Sequence, residues 1–196
     1  MCRVILLLIA LRATHSIDCS VPAANALPVR DAAAYAFYSS LYRQSDHLAP
    51  GEILGIAAEP MRFHRKLCSM RPSTEEERNM VEAAKQSSTH PLTWNRQFDL
   101  GRPYLLIPPA ATTKAIDCIG QHHGQAPRSG CEPYAQLRYV RFLSVPIFNA
   151  DHTRALVAID CACGGLCGKG SVQVYRKTGD GWQLAPNSFA RCGWVA

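Results

Sequence analysis

The segment CACGGLCGKGSVQVY, residues 161–175, places three cysteines and four glycines in its first ten positions and then alternates like a β-strand. Thiol groups at such spacing can bind a metal ion, act as nucleophiles or form a disulfide. Glycines beside a lysine also occur in loops that bind phosphate. The neighbouring residues separate these four possibilities.

A phosphate-binding loop requires the pattern G-x-x-x-x-G-K followed by Ser or Thr, placed between a strand and a helix. Here Gly170 follows Gly168-Lys169, and Cys163 occupies the position of the first glycine. The next element, moreover, has the pattern of a strand and not of a helix. The segment therefore does not encode a phosphate loop.

A metal site would take thiolate ligands from Cys161, Cys163 and Cys167, and a fourth ligand from His152 or His122. Structural zinc sites usually contain paired C-x2-4-C units, and the spacing C-x-C-x3-C is not one of them. We therefore predict neither a metal ion nor another cofactor. An extracellular metal binder is kept as one alternative function.

A catalytic thiol is another alternative. Cys167 lies among glycines whose backbone amides can approach a substrate, Lys169 is near enough to favour a thiolate, and His152 precedes the adjoining strand. No family-specific nucleophile signature surrounds Cys167, and the chain lacks both G-x-S-x-G and H-E-x-x-H motifs. We therefore favour a non-catalytic protein, and retain a thiol-dependent enzyme or hydrolase that uses Cys167 and a histidine as the alternative.

The chain begins MCRVILLLIALRATHS, with a positive charge at Arg3, an apolar stretch at residues 4–11 and small residues up to Ser16. This stretch is too short for the roughly 30 Å core of a bilayer, and the pattern is typical of a secretory signal peptide. We predict a signal peptide at residues 1–16, a leader at 17–30 and a single domain at 31–196. The mature chain is predicted to be exported, to the periplasm or the medium, without a transmembrane segment.

Export changes the expected state of the cysteines, because oxidising compartments preserve disulfides. Eight cysteines follow the signal peptide, and all are disulfide candidates: Cys19, Cys68, Cys118, Cys131, Cys161, Cys163, Cys167 and Cys192. Eight cysteines allow 105 complete pairings, so their connectivity stays open. The glycine bend favours a bridge between Cys163 and Cys167, which leaves Cys161 for a distant partner such as Cys192 or Cys118.

The first half of the chain contains two helical patterns. Asp31 is a candidate N-cap for a helix whose Tyr35, Tyr38, Leu41 and Tyr42 recur on one face. A second helix begins at residue 73, where Ser73 and Glu76 have the spacing of a capping box, and its apolar stripe is thin. GEILGIAA is typical of a buried strand, and YLLI of an edge strand between prolines.

From residue 139 onward, short alternating segments are separated by turn sequences, and Asp180-Gly181 is the clearest hairpin signal. Such a series predicts an antiparallel meander. The sequence therefore predicts an α+β fold, with a curved antiparallel sheet, mainly from residues 139–196, and one or two N-terminal helices packed on it.

The formal net charge of +6 falls to +4 without the two arginines of the signal peptide. One basic cluster, MRFHRKLCSMR at residues 61–71, is not accompanied by an aromatic ladder or a nucleic-acid-binding motif. We interpret it as a solvated basic face. No nucleic-acid partner is expected.

At the C-terminal end, residues 163–170 read C-G-G-L-C-G-K-G at the end of one strand, residues 177–182 read K-T-G-D-G-W after a second strand, and Trp194 follows. The C-terminal quarter thereby resembles a group of bacterial exported proteins of unknown activity, in which a strand ends in C-G-G-L-C-G-x-G and is followed by a second strand, by K-x-x-G-x-W and by a terminal tryptophan. The chain departs from that pattern at Asp180, because its glycines are Gly179 and Gly181. The resemblance implies a small exported α+β domain and carries no activity with it.

These observations favour a non-catalytic, exported, disulfide-stabilised domain that binds an envelope component or a partner protein. The glycine-rich bend, fixed by disulfides, is the expected binding element. Fold alone does not define a function, so this expectation depends on the site that the fold builds.

Overall fold

A computed structural model describes residues 26–45, 48–63, 70–87, 91–119, 128–165, 167–179, 181–186, 189–190 and 192–195. Three α-helices lie within these ranges: α1 Ala32–Ser45, α2 Glu75–Gln86 and α3 Pro109–Ile119. The strands there are β1 Leu27–Pro28, β2 Ile53–Ala57, β3 Leu92–Thr93, β4 Tyr104–Ile107, β5 Leu137–Leu143, β6 Ile147–Phe148, β7 Arg154–Ala162, β8 Gly168–Thr178, β9 Gly181–Leu184 and β10 Cys192–Val195.

The main sheet has the strand order β10-β8-β7-β5-β2-β4, with β6 beside β7 and β9 beside β8. The α+β class is confirmed, and the strands from β5 onward pair antiparallel as predicted. The sheet as a whole is mixed, because β2 pairs parallel with both β4 and β5. Sequence periodicity identifies β2 and β4 as strands, but it does not reveal the direction of their pairing.

Helix α1 covers one face of the sheet. Its predicted N-cap is confirmed, since the Asp31 Oδ1 atom accepts a hydrogen bond from the Ala33 N–H at 2.8 Å. The aromatic stripe is core: Tyr35, Phe37, Tyr38 and Tyr42 are buried. Facing them are apolar side chains of the central strands, namely Leu54, Ile56, Leu143, Ala155 and Val157.

A hydrogen bond between side chain and backbone fixes α1 against the sheet. The Tyr38 hydroxyl donates to the Ser144 carbonyl oxygen at 2.7 Å, and the Ser144 hydroxyl oxygen accepts from the Ala158 N–H at 2.9 Å. Burial raises the pKa of Tyr38 well above its ordinary value, so the phenol stays protonated as a donor. Ser144 lies where β5 ends, and it thereby links α1 to β7.

Helix α2 packs on the opposite face, where Met80 and Ala84 contact Leu156, Val172 and Val174. The predicted apolar stripe is thus confirmed. The capping box lies one residue later than predicted, because Thr74 and Glu77 form it instead of Ser73 and Glu76. Adjacent hydroxyl and carboxyl residues, STEEE, allow either register, and the structure selects the one that buries Glu77.

Helix α3 packs on the same face as α2, at the β2 and β4 end of the sheet. Ala115 and Ile119 contact Ala57, Ile107 and Val140. Neither of the two predicted helical patterns covers this helix. Pro109 at its first position was the available signal, since proline is favoured there.

The N-terminal boundary differs from the predicted one. Residues 17–30 were assigned to a leader, yet β1 pairs with β3, and Val29 is buried in the core with its N–H donating to the Thr93 carbonyl oxygen at 2.8 Å. The predicted signal peptide lies outside the described residues. Among the described residues, no helix combines the length and apolar character needed to span a membrane.

An ion pair joins α2 to the sheet. Arg154 on β7 donates to the carboxylates of Glu76 and Glu77, each at 3.0 Å. Burial alone would raise the pKa of Glu77, but hydrogen bonds from Ser73, Arg154 and Thr74 outweigh it and lower the pKa to about 2. Since the ordinary value is 4.5, the stabilisation is fully present above pH 4.5 and is lost as the pH falls towards 2.

Replacing Glu77 with Gln should therefore lower the free energy of unfolding by about 2–3 kcal/mol at pH 7. Urea denaturation at a series of pH values measures this, and the Glu77→Gln curve should be flatter than wild type below pH 4.5. Glu76→Gln is the matched control, expected to change stability by less than about 1 kcal/mol because its carboxylate is half-exposed. Equal effects of the two substitutions would contradict the assignment.

Two residues of the C-terminal motif are in direct contact. The Trp194 indole lies against Gly170, at the place that a β-carbon would occupy, and its N–H donates to the Asp160 carboxylate at 3.3 Å. Gly170 and Trp194 are also directly opposite in the pairing of β8 with β10. The glycine is therefore required by the close approach of the tryptophan ring.

Gly170→Ala should destabilise the protein by about 1–3 kcal/mol, because the new methyl group displaces the indole. In a Trp194→Ala background the same substitution should have an effect near zero, and denaturation of all four proteins measures the coupling. Gly179→Ala is the control, since nothing lies within 4 Å of the added β-carbon. Additive effects of the first two substitutions would show that the contact is unimportant.

Candidate functional site

The glycine bend that follows Cys163 joins β7 to β8, and it contains the predicted disulfide between Cys163 and Cys167, with their Cα atoms 5.2 Å apart. Gly164 and Gly165 have φ angles of 85° and 55°, in the left-handed region that favours glycine. The Cys163 N–H donates to the Cys167 carbonyl oxygen at 2.9 Å. The pairing of Cys163 with Cys167 is thus confirmed.

A second disulfide joins Cys118, near the end of α3, to Cys131. This pairing removes Cys118 as a partner for Cys161, contrary to prediction. The other predicted partner, Cys192, is also too distant. Cys161 and Cys192 lie on strands separated by β8 and are offset along it, and two strand spacings alone amount to about 9.5 Å, beyond the Cα separation that a disulfide allows. Cys19 and Cys68 lie outside the described residues.

The structure does not bring the predicted thiol and imidazole together. The Cys167 sulfur is bonded to Cys163, and His152 lies in the turn at the opposite end of β7, a strand that spans roughly 26 Å. His152 instead stacks on the Phe148 ring, 4.9 Å between centroids. His122 lies outside the described residues. Within the described part of the chain, no group of three or more His, Cys, Asp or Glu side chains has metal-binding geometry.

A groove on the α1 face of the sheet is the candidate site, and it was not among the predicted sites. We call it the sheet groove. It has a volume of about 610 Å³, within the usual range for small-ligand sites. Its lining comprises Leu41, Tyr42, Arg141, Ile159, Lys169, Gly170, Ser171, Gln173, Tyr175, Trp182 and Leu184.

Strand pairing places the polar side chains of the groove in rows. Arg141 on β5 and Lys169 on β8 are both directly opposite Cys161 on β7, so all three side chains lie on one face. Ser171 and Gln173 follow Lys169 at two-residue intervals along β8 and therefore share that face. The floor thus presents a cationic row followed by two neutral polar side chains.

Aromatic residues anchored in the core form both walls. On one side, Tyr42 of α1 stacks on Tyr38, with 6.2 Å between ring centroids. On the other, Trp182 of β9 packs against Phe37 at 5.1 Å and Phe148 at 5.8 Å. The predicted hairpin between β8 and β9 positions Trp182. Because each wall is attached to the α1 core, the width of the groove depends on the packing of α1.

The groove is electropositive. The Arg141 guanidinium lies over the Tyr139 ring at 4.5 Å and the Tyr42 ring at 5.8 Å. Its Nε atom is buried and has no hydrogen-bond partner among the described residues. The side chain of Lys169 is exposed, and no Asp or Glu belongs to the described lining. Two cations therefore face the groove without a carboxylate in its wall.

Tyr175 orients the neutral part of the groove. Its hydroxyl donates to the Gln173 Oε1 atom at 2.6 Å. Burial raises the pKa of Tyr175 to about 12, although the charge of Arg141 acts in the opposite direction. The phenol thus remains a donor at neutral pH, and the two N–H groups of the Gln173 amide are left as donors. Donors therefore outnumber acceptors in the groove.

Comparison of the chain with protein families, with curated proteins and with solved structures gave no match. The function is therefore inferred from the geometry of the site. A signal for the groove was present in the sequence: Lys169, Ser171, Gln173 and Tyr175 alternate along one strand. Such alternation predicts one face of a strand, but it does not show that a helix leaves that face partly uncovered.

The Cys163–Cys167 and Cys118–Cys131 disulfides should stabilise the protein to different extents. On a chain-entropy estimate, the short loop between Cys163 and Cys167 contributes about 2 kcal/mol, and the longer loop between Cys118 and Cys131 about 3 kcal/mol. Replacing each pair with serines and measuring urea denaturation tests this order. If the Cys163/Cys167 substitution lowered the free energy of unfolding by more than the Cys118/Cys131 substitution, the bend would stabilise structure beyond its own loop.

Proposed function

We propose that the protein is a non-catalytic, exported, disulfide-stabilised domain that binds a component of the bacterial cell envelope in the sheet groove. The observation that carries this proposal is the composition of the groove, in which two cations and several neutral donors lie between aromatic walls. Envelope polymers and lipids are rich in phosphate and carboxylate groups, which complement such a surface.

The state of the cysteines supports a binding role over thiol catalysis. A thiol nucleophile must be reduced and close to a base. Cys167 is instead bonded to Cys163, and His152 lies at the far end of β7. The bridge restricts the bend directly before Gly168 and Lys169, where β8 begins. It therefore helps to position Lys169, one of the two cations of the sheet groove.

Export is supported by the signal-peptide pattern and by the disulfides that the fold forms. Expression of the full chain with a C-terminal tag, followed by fractionation and N-terminal sequencing, tests this part. The protein should be found outside the cytoplasm, and its mature N-terminus should be Ile17. An intact Met1 on cytoplasmic protein would contradict export.

Binding is tested by sedimentation of the purified, oxidised protein with isolated cell envelopes. Ser171→Trp fills the floor of the sheet groove and should reduce sedimentation by about tenfold, since the ligand loses its space. Thr113→Trp, on the exposed surface of α3, is the matched control and should sediment like wild type. Circular dichroism checks that both variants are folded.

Treatment of the envelopes with protease separates two classes of ligand. Sedimentation that survives protease supports a polymer or lipid of the envelope. Loss of sedimentation after protease treatment would instead identify the ligand as a partner protein. Sedimentation of Ser171→Trp at the wild-type level would overturn the assignment of the groove as the binding site.

A further inference from the structure

We infer that the sheet groove binds a linear acidic glycan, whose chain runs along β8 with an acidic group at Lys169 and a sugar ring at Trp182. The inference rests on the proposed function for the location of the site, and it adds the chemical class and the length of the ligand. Among the polymers and lipids of a cell envelope, it selects a chain of several sugars.

The register of the strands shows that a ligand of the whole groove must be long. Trp182 on β9 is directly opposite Lys177 on β8. Lys169 and Lys177 are separated by about 26 Å along that strand. A single ring with one anionic group reaches only one of these ends. A ligand that contacts both ends is therefore an extended chain.

The floor between the two ends offers polar groups in a line. Ser171 and Gln173 lie on the same face as Lys169, at intervals of roughly 7 Å, and both are half-buried. The Gln173 Oε1 atom accepts a hydrogen bond from the Tyr175 hydroxyl at 2.6 Å, so the N–H groups of the amide remain as donors. Such a line of hydroxyl and amide groups complements the hydroxyl groups that recur along a glycan.

Positive charge is concentrated at one end of the groove. Lys169 is exposed, and Arg141 lies at the same end because both residues are directly opposite Cys161. The Arg141 guanidinium lies over the Tyr139 ring, so it adds to the positive potential of this end while Lys169 makes the direct contact. Since the described lining contains no Asp or Glu, this end favours an acidic sugar over a neutral one.

The other end of the groove presents apolar surface. Trp182 is half-buried against Phe37 and Phe148, and Leu184, two residues further along β9 on the same face, is exposed. The face of an aromatic ring carries partial negative charge and attracts the C–H groups of a sugar ring. Because the core already holds Trp182 in place, a sugar packs there without the cost of ordering the tryptophan.

Two other kinds of elongated ligand match the groove less well. An acyl chain would cover Ser171 and Gln173 and leave their polar groups without hydrogen bonds. An extended peptide binds by joining a sheet edge, but β8 is already paired with β7 on one side and with β9 and β10 on the other. A glycan is therefore the chain whose chemistry fits the floor.

The cleft beside α1 that contains Arg43 does not offer the same chemistry. The Arg43 guanidinium pairs with the Asp99 carboxylate, so its charge is neutralised within the protein. The aromatic side chain in its described lining is Tyr35, whose hydroxyl already donates to the Val29 carbonyl oxygen at 3.2 Å. The sheet groove is thus the better site for an acidic chain.

The test uses ¹⁵N-labelled, oxidised mature protein and two series of acidic oligosaccharides of defined length, oligogalacturonates and hyaluronan fragments. Titrations follow the backbone amide of Lys169 and the indole N–H of Trp182 by NMR. Hexasaccharides should shift both signals and bind at least about tenfold more tightly than galacturonate or glucuronate alone, because they add contacts at Ser171 and Gln173. Phenyl phosphate, which has one ring, should shift the Lys169 amide and leave Trp182 unchanged.

Two further probes test the charge and the chemistry of the chain. Methyl-esterified hexagalacturonate has the same length without the charge, and it should bind at least about tenfold more weakly than the acidic form. Dodecyl phosphate carries an anion on an acyl chain and should also bind more weakly than the acidic hexasaccharides. Tighter binding of dodecyl phosphate, with shifts of both signals, would overturn the inference in favour of a lipid.

Variants separate contacts at one end from contacts along the chain. Lys169→Met should weaken binding of both phenyl phosphate and the acidic hexasaccharides by about tenfold. Gln173→Ala should weaken hexasaccharide binding by about fivefold and leave phenyl phosphate binding unchanged, because only the long ligand reaches this side chain. Arg176→Met, exposed on the opposite face of β8, is the control and should bind like wild type.

The inference is overturned by equal affinity for short and long chains, by an unshifted Trp182 indole at saturation with hexasaccharide, by unchanged affinity in Lys169→Met, or by no binding of either acidic series at millimolar concentration. These probes require no envelope, so the two proposals fail separately. Length-dependent binding in the groove without sedimentation would contradict the proposed function alone. Groove-dependent sedimentation with length-independent or absent oligosaccharide binding would contradict this inference alone.

Discussion

The packing of the α1 aromatic stripe against the sheet is the interaction on which the rest of the structure depends. Phe37 contacts Tyr175 and Trp182 directly, and Tyr38 is hydrogen-bonded to Ser144 at the end of β5. These contacts set the height of the helix above the strands. They also place Tyr42 and Trp182 on opposite sides of the uncovered part of the sheet. One hydrophobic interface therefore stabilises the domain and defines the sheet groove.

The residues that directly follow the bend between β7 and β8 contribute to both faces of the sheet. On the α1 face the bend leads into Lys169 and the polar row, whereas on the other face Gly170 accommodates the indole of Trp194. The disulfide between Cys163 and Cys167 restricts the bend just before both features. Residues that appear in the sequence as one short motif thus act on opposite sides of a strand. This arrangement gives the spacing of the motif a physical reason.

The sequence predicted the features that depend on local spacing. The cap at Asp31, the stripe of α2 and the bridge across the glycine bend each follow from residues only a few positions apart. Features that depend on distant strands were not predicted: the parallel pairing of β2 and the placement of Arg141 and Lys169 opposite the same residue of β7 arise from the order of strands in the sheet. For the same reason, the distance between Cys161 and Cys192 was not apparent before the register was known.

A crystal structure of the oxidised protein with phenyl phosphate tests the central claim most directly, because it locates the bound phosphate. Electron density for the phosphate is expected in the sheet groove, in contact with Arg141 or Lys169. The walls of the groove should move little, since both are fixed to the α1 core. A phosphate bound away from Arg141 and Lys169, or an empty groove at saturating ligand, would contradict the account.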